Sequence, residues 1–202
     1  MNLFGFLRQR PAFTTRQFAH AQGVSLSSAS RKLKTLSQGA SAPLVAVTRG
    51  VWAQPQHASF TPYGLVPLLL GNEQGYISLL SALQRHGVIS QIPQVIQVAT
   101  TGHGRKLECA AGSYEFFHFD SRMIRGGMEW LDLAMPYGLA TAEKALLDAL
   151  YLSVRKGRRF SRFPELDLSV LEEKKFMALL RAQVTLGVLR KAVLKKWESL
   201  RG

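Results

Sequence analysis

Residues 14–36 read TTRQFAHAQGVSLSSASRKLKTL. Thr14 and Thr15 offer a helix N-cap, where a side-chain hydroxyl takes up a backbone N–H that the first turn leaves without a partner. Phe18, Ala19 and Ala21 follow as the apolar positions of a short helix. Gly23 suits a left-handed helix terminus, where any side chain costs strain. Ser25 caps a second helix, on which Leu26, Ala29, Leu33 and Leu36 recur at spacings of 3, 4 and 3 and form one apolar stripe. Two short helices that cross steeply need small residues at their contact and glycine at the turn. Ala19, Gly23 and Ala29 meet both needs, and the pattern is that of a helix-turn-helix. The stripe turns Ser27, Ser28, Ser30, Arg31, Lys32 and Lys34 outward. Hydroxyls reach phosphates or bases at close range, and arginine reads guanine bidentately. A helix serving only a core has no use for such a face without one acid on it.

The flanks agree. Upstream, residues 2–9 (NLFGFLRQ) set Leu3, Phe6 and Leu7 on one helical face, and Pro11 ends that element. Downstream, Leu44–Val47 reads as a strand, Thr48-Arg49-Gly50 as a turn, and Val51–Ala53 as a second strand. A hairpin directly after a helix-turn-helix is a wing, and Arg49 at its tip reaches a phosphate or the minor groove. The expected unit is a winged helix-turn-helix over residues 1–58, binding double-stranded DNA through Arg16, Ser25, Ser27, Ser28, Ser30, Arg31, Lys32, Lys34 and Arg49. The competing reading is a generic α/β lobe of a larger enzyme.

Charge supports the first reading. The chain carries 26 Lys and Arg against 13 Asp and Glu, a formal charge of +13. Such an excess points to a polyanionic partner or an anionic surface, and says nothing of fold. From Met1 to Asn72 there are seven basic residues and no acid; Glu73 is the first acid in the chain. From Glu73 to Ser153 six bases face eight acids, and from Val154 to Gly202 thirteen face five. Lys and Arg also simply solvate surfaces, but an ordinary solvated face mixes both signs.

Residues 62–202 read as an α+β domain with a basic helical end. Pro55–Pro62 is a connector, and residues 63–72 a short helix or bend broken by Pro67. Residues 76–86 (YISLLSALQRH) read as a helix with Ile77, Leu80 and Leu83 on one face, closed by Gly87. Val95–Ala99, Leu107–Ala111 and Tyr114–Phe119 read as strands, the last two around Gly112-Ser113. The expectation is a small antiparallel sheet with a helix against it. Thr141 caps a helix from Ala142 to about Lys156, with Ala145, Leu146, Ala149, Leu150 and Leu152 on its buried side. Glu143 in the first turn and Lys156 in the last suit the helix dipole. Ser169 caps a further helix, and in the amphipathic tail Leu171, Leu179, Val184, Leu189, Val193 and Leu200 serve the core in preference to a partner surface.

Catalytic constellations are sparse. The five histidines (His20, His57, His86, His103, His118) are scattered, with none at metal-ligand spacing from Cys or a carboxylate. No Gly-x-Ser-x-Gly and no phosphate-loop motif is present. Gly102-His103-Gly104-Arg105-Lys106 reads as a basic hairpin tip in preference to a phosphate cradle. Glu143 and Asp148 turn to different sides of their helix and form no carboxylate pair. The reading is of a protein without enzymatic activity, cofactor or metal. Cys109 stands alone, so no internal disulfide and no oxidising compartment is implied. Leu3–Leu7 is too short for a signal peptide. Leu65–Leu70 falls far short of the ~20 residues that span a bilayer. The expected location is the cytoplasm, with no membrane association.

Three segments carry a more specific signal. Residues 75–99 read GYISLLSALQRHGVISQIPQVIQVA, residues 112–119 GSYEFFHF and residues 139–152 LATAEKALLDALYL. Behind a winged helix, over about residues 10–155, this order resembles the AbiEi family, the antitoxin half of the AbiE abortive-infection (type IV) toxin–antitoxin systems of phage defence. That resemblance implies a winged helix followed by an α+β antitoxin domain. It implies an autorepressor that binds inverted repeats in its own promoter, with two copies on the DNA. It also implies an antitoxin that counters a nucleotidyltransferase-like toxin without a stable complex. The matching DNA-contacting positions are Ser27, Ser28, Arg31, Lys32 and Arg49. Glu143, Lys144 and Asp148 match the family's helix motif and read as structural. Two other classes compete: a stand-alone transcription factor whose second domain senses a ligand or partner, and a nucleic-acid-processing enzyme, against which the lack of clustered carboxylates counts.

Overall fold

In the computed structural model, which describes residues 2–39, 42–155 and 163–201, the chain opens with helix α1 (Leu3–Gln9), capped by Asn2. Strand β1 (Ala12–Thr14) leads into α2 (Thr15–Gln22), and α3 (Leu26–Leu36) follows after a tight turn. Thr14 and Gln17 cap α2 reciprocally, each side chain accepting from the other's backbone N–H at 3.1 and 2.8 Å. Gly23 ends α2 in the left-handed region at φ +64°, as its lack of a Cβ permits. Strands β2 (Val45–Thr48) and β3 (Val51–Ala53) form a hairpin with Arg49-Gly50 at its tip. β1 pairs with the other edge of β3, giving an antiparallel sheet of order β1-β3-β2. β1 was not expected, because three residues between a proline and a helix cap are too few to show an alternating pattern.

A compact aromatic core holds these elements together. Phe6 meets Phe13 and Phe18 edge-on, with ring centroids 4.9 and 5.4 Å apart. Ala19, Ala29, Leu33, Leu44 and Trp52 complete it. Each fully buried Phe or Leu contributes about 1.5–3 kcal/mol. The apolar stripe on α3 is only partly buried, however. Ala29 and Leu33 are at 0% exposure, while Leu26 is 54% exposed. Leu26 is the first residue of its helix, and α2 ends before it can cover that position.

After a 3-10 turn (Pro62–Leu65) come α4 (Val66–Leu70), β4 (Gly75–Ile77), α5 (Leu79–Arg85), β5 (Ile96–Thr100), β6 (Arg105–Cys109), β7 (Gly112–His118), α6 (Ser121–Ile124), β8 (Met128–Leu131), β9 (Tyr137–Ala140) and α7 (Ala142–Arg155). The chain is therefore α+β. Its antiparallel pairings are β4 with β5, β6 with β7 and β8 with β9. They belong to a sheet larger than the three strands expected, of order β6-β7-β5-β4-β9-β8. Two of its pairings, β5 with β7 and β4 with β9, are parallel. Residues 102–104 therefore do not close a hairpin; they carry the chain from β5 to the sheet's edge. The β6–β7 turn falls on Ala110-Ala111, and Gly112 already pairs with Cys109.

Residues 75–77 are a strand, not the start of the helix expected over 76–86. Leu79, at φ +55°, makes the change of direction. A non-glycine residue there is strained, and complete burial of its side chain holds it in place. β8 and β9 were not expected either. All four residues of β9 are buried, which removes the polar alternation that marks a strand.

Thr141 caps α7 as expected, its hydroxyl accepting from Lys144 N at 3.3 Å. Every residue from Ala142 to Ser153 is buried, not one side alone. Lys156 lies outside the described residues. Ser169 does not cap a long helix. It sits in a 3-10 turn (Leu168–Val170) and gives both its N–H and its hydroxyl to Asp167. α8 (Glu173–Gln183) starts after Glu172, whose N–H donates to Glu143 Oε1 at 3.0 Å. In α9 (Gly187–Arg201) Trp197 stacks on Phe176 of α8 at 4.5 Å. Val184 and Val193 are buried, and Leu171, Leu179, Leu189 and Leu200 pack against the same core.

The two cores meet in the small sheet. Trp52 faces the aromatic core, while its neighbours Val51 and Ala53, with Val47, face the larger one. Gln54, just after β3, holds the end of α1, its Nε2 donating to Leu7 O and Arg10 O at 2.7 Å each. Among the described residues no helix is long and apolar enough to cross a membrane.

Candidate nucleic-acid interface

The N-terminal end of α3 is built around hydroxyls. Ser25 Oγ accepts from Ser28 N at 3.2 Å and lies 3.0 Å from both Ser27 Oγ and Ser28 Oγ. Ser25 is thus engaged as the cap, and Ser28 is half-buried beside it. Ser27, Ser30, Arg31, Lys32 and Lys34 are exposed. Ala29 and Leu33 fix the buried face of α3, and at 100° per residue Arg31 lies opposite it, with Ser27 and Thr35 next and Lys34 a little further round.

The hairpin tip is fixed relative to this helix pair. Thr15 N donates to Gly50 O at 2.9 Å, and Trp52 Nε1 donates to Thr15 Oγ1 at 2.9 Å. These bonds place Arg49 and Arg16, each one residue from the Thr15–Gly50 contact, on the same part of the lobe. Both are exposed. Gly50, at φ +80°, makes the tight turn possible. Among the described residues, none of Arg16, Arg31, Lys32, Lys34 and Arg49 enters an ion pair. All nine expected contact residues therefore lie on three neighbouring elements: the start of α2, the length of α3 and the tip of the hairpin.

No family model and no curated protein matches the chain.

Other residues singled out in the sequence have structural duties. Arg105 gives Nη1 to Glu73 at 2.8 Å and Nη2 to Leu69 O at 3.2 Å, and lies 4.0 Å from the Phe116 ring centroid. So engaged, it is not part of a phosphate cradle. Lys144 and Asp148 form an ion pair one turn apart on α7, with both side chains at 0% exposure. Asp148 Oδ2 also accepts from Ser78 Oγ at 2.7 Å and from Tyr76 OH at 3.2 Å. Burial pushes Lys144 below its ordinary range and Asp148 above its own; their mutual attraction opposes both shifts. Burial, then Asp148, raises the Tyr76 phenol well above its usual value. Tyr76 and Ser78 were missed, because a helical reading of 76–86 turns them away from any acid. The available signal was a Lys-x-x-x-Asp pair inside an otherwise apolar helix. Among the described residues no group of three His, Cys, Asp or Glu is placed to hold a metal.

Proposed function

We propose that residues 2–54 are a winged helix-turn-helix that binds double-stranded DNA, with α3 in the major groove and the Arg49 turn on the backbone or minor groove. The observation that carries this reading is the display of Arg31, Lys34, Arg16 and Arg49, free of ion pairs among the described residues, on one lobe in which α2 and the hairpin are hydrogen-bonded together and α3 packs on the same core. Bases without intramolecular acids are available to phosphates. The residues are held on a packed core, so little ordering is needed on binding.

The protein on this reading is an AbiEi-like autorepressor and antitoxin acting in the cytoplasm, where its operator and toxin gene are found. Its N-terminal lobe occupies inverted repeats in its own promoter as two copies. Its second domain counters a nucleotidyltransferase-like toxin. The support is the order of motifs over residues 75–152 together with the lobe in front of them. The test is an electrophoretic shift on the region upstream of its gene, wild type against Arg31→Ala/Lys34→Ala. A specific shift lost in the variant supports the reading, and no shift with wild type overturns it. Co-expression with a neighbouring nucleotidyltransferase-like gene tests the antitoxin half through rescue of growth.

A second reading, a stand-alone factor that senses a small ligand, is favoured by one observation. A cleft of about 400 Å³ is lined from both halves of the chain, by Arg10, Ala12 and Gln17 on one side and Leu68, Trp130 and Met135 on the other.

A further inference from the structure

A cavity of about 340 Å³ opens where α6, the end of α7 and the turn between α8 and α9 come together. Two guanidiniums are fixed on its lining. Arg122 Nη1 donates to Thr185 Oγ1 at 2.7 Å, and Arg155 Nη1 donates to Tyr151 OH at 3.2 Å. All four residues line the cavity. A neutral hydroxyl orients a guanidinium and leaves its charge and its other donors in place. Neither arginine is in an ion pair among the described residues, which include every Asp and Glu of the chain. The one carboxylate in the lining is Asp120. It caps α6, its Oδ1 accepting from Arg122 N at 2.9 Å.

Two further features favour an anion that carries a polar organic part. Leu186 and Leu189 bring the start of α9 to the cavity. The N-terminal end of a helix favours negative charge. Gln183, only 6% exposed, lines the same cavity. Its Nε2 donates to Arg125 O at 2.6 Å, while its Oε1 is buried with no hydrogen-bond partner among the described residues. A buried acceptor left open calls for a donor. Guanidiniums match the oxygens of phosphate, and a phosphate monoester carries close to two negative charges, one for each arginine. The volume falls at the lower end of the range of small-molecule sites. We infer that this cavity binds a small, hydroxyl-bearing phosphate monoester. Its phosphate lies on Arg122 and Arg155, and a hydroxyl donates to Gln183. The site belongs to the second domain and does not depend on DNA binding by the first.

The experiment titrates the full chain with ribose 5-phosphate by calorimetry at fixed ionic strength. Ribose and inorganic phosphate serve as the two halves of the ligand. Expected is tighter binding of ribose 5-phosphate than of either half. Arg122→Gln/Arg155→Gln, whose fold is checked by its melting curve, should bind it at least about tenfold more weakly. Asp120→Asn keeps a good capping residue and removes the negative charge from the lining, so it should bind about threefold more tightly. Absence of binding by both ribose 5-phosphate and inorganic phosphate overturns the site. Ribose bound as tightly as its phosphate overturns the phosphate as the anchor, and an undiminished affinity in the double variant overturns the two arginines. Should the double variant melt far below wild type, Asp120→Asn decides: an affinity no higher than that of wild type overturns the site, and a higher one supports it.

Discussion

The indole N–H of Trp52 donates to the hydroxyl of Thr15 at 2.9 Å, joining residues 37 positions apart. Trp52 belongs to the hairpin and Thr15 to the first turn of α2, so one bond sets the angle between two of the elements proposed to touch DNA. Trp52 is only 8% exposed. Replacing Thr15 by Val leaves a buried donor without a partner, which costs about 1–3 kcal/mol. Urea denaturation is expected to show that loss, and a change below about 0.5 kcal/mol would mean the indole finds another acceptor.

The Lys144–Asp148 pair is expected to behave as a unit. Lys144→Met strands a buried carboxylate and costs about 3–5 kcal/mol. The double change Lys144→Met/Asp148→Leu is milder than the single one, because no charge is left behind. In Lys144→Met, burial keeps the Asp148 pKa raised above its unfolded value. A raised acid contributes its stability below the unfolded pKa and loses it as pH rises through the folded one. The deficit of the single variant against wild type should therefore widen with rising pH in denaturant melts.

Arg49→Ala separates backbone contact from base reading. It should weaken all DNA sequences alike and reduce the log–log salt slope by about 1. Arg31→Ala should instead relax preference at one base position. A slope unchanged in Arg49→Ala places the hairpin tip off the phosphates.

Two glycines are expected to respond in opposite directions to alanine. A Cβ on Gly75 would lie 2.4 Å from Ala99 O and 2.9 Å from Leu70 Cδ2. The first is backbone of the partner strand and cannot rotate away, so Gly75→Ala costs about 1–3 kcal/mol. Gly187 opens α9 with nothing within 4 Å of the same position. Gly187→Ala should stabilise by up to about 1 kcal/mol. Thermal melts of the two variants test both.

Local chemistry was the legible part of this chain. Thr14, Gly23, Ser25, Gly87 and Thr141 each act on the backbone within a few residues, and each stands where its type implies. What escaped is long-range. β4 and β9 are three and four residues long; β4 pairs along its length with β5 and β9 with β8, and the two meet each other at Ile77 and Leu139, more than 60 residues apart. The Tyr76–Asp148 contact depends on that pairing. Leu26 misled for the opposite reason: periodicity assigns a face and cannot report that the facing element stops short. At the lobe surface the exposed hydroxyls and bases followed directly from the buried face of α3, which is why that exposed face was readable when the second domain's sheet was not.

Val51 and Ala53 point into one core and Trp52, between them, into the other. The same short stretch of backbone closes both, so the hairpin joins the two cores directly instead of through a linker. Heating should meet a single cooperative collapse rather than two steps. A cut placed just behind the hairpin would leave Val47, Val51 and Ala53 bare to water, and the severed lobe would tend to clump instead of standing alone.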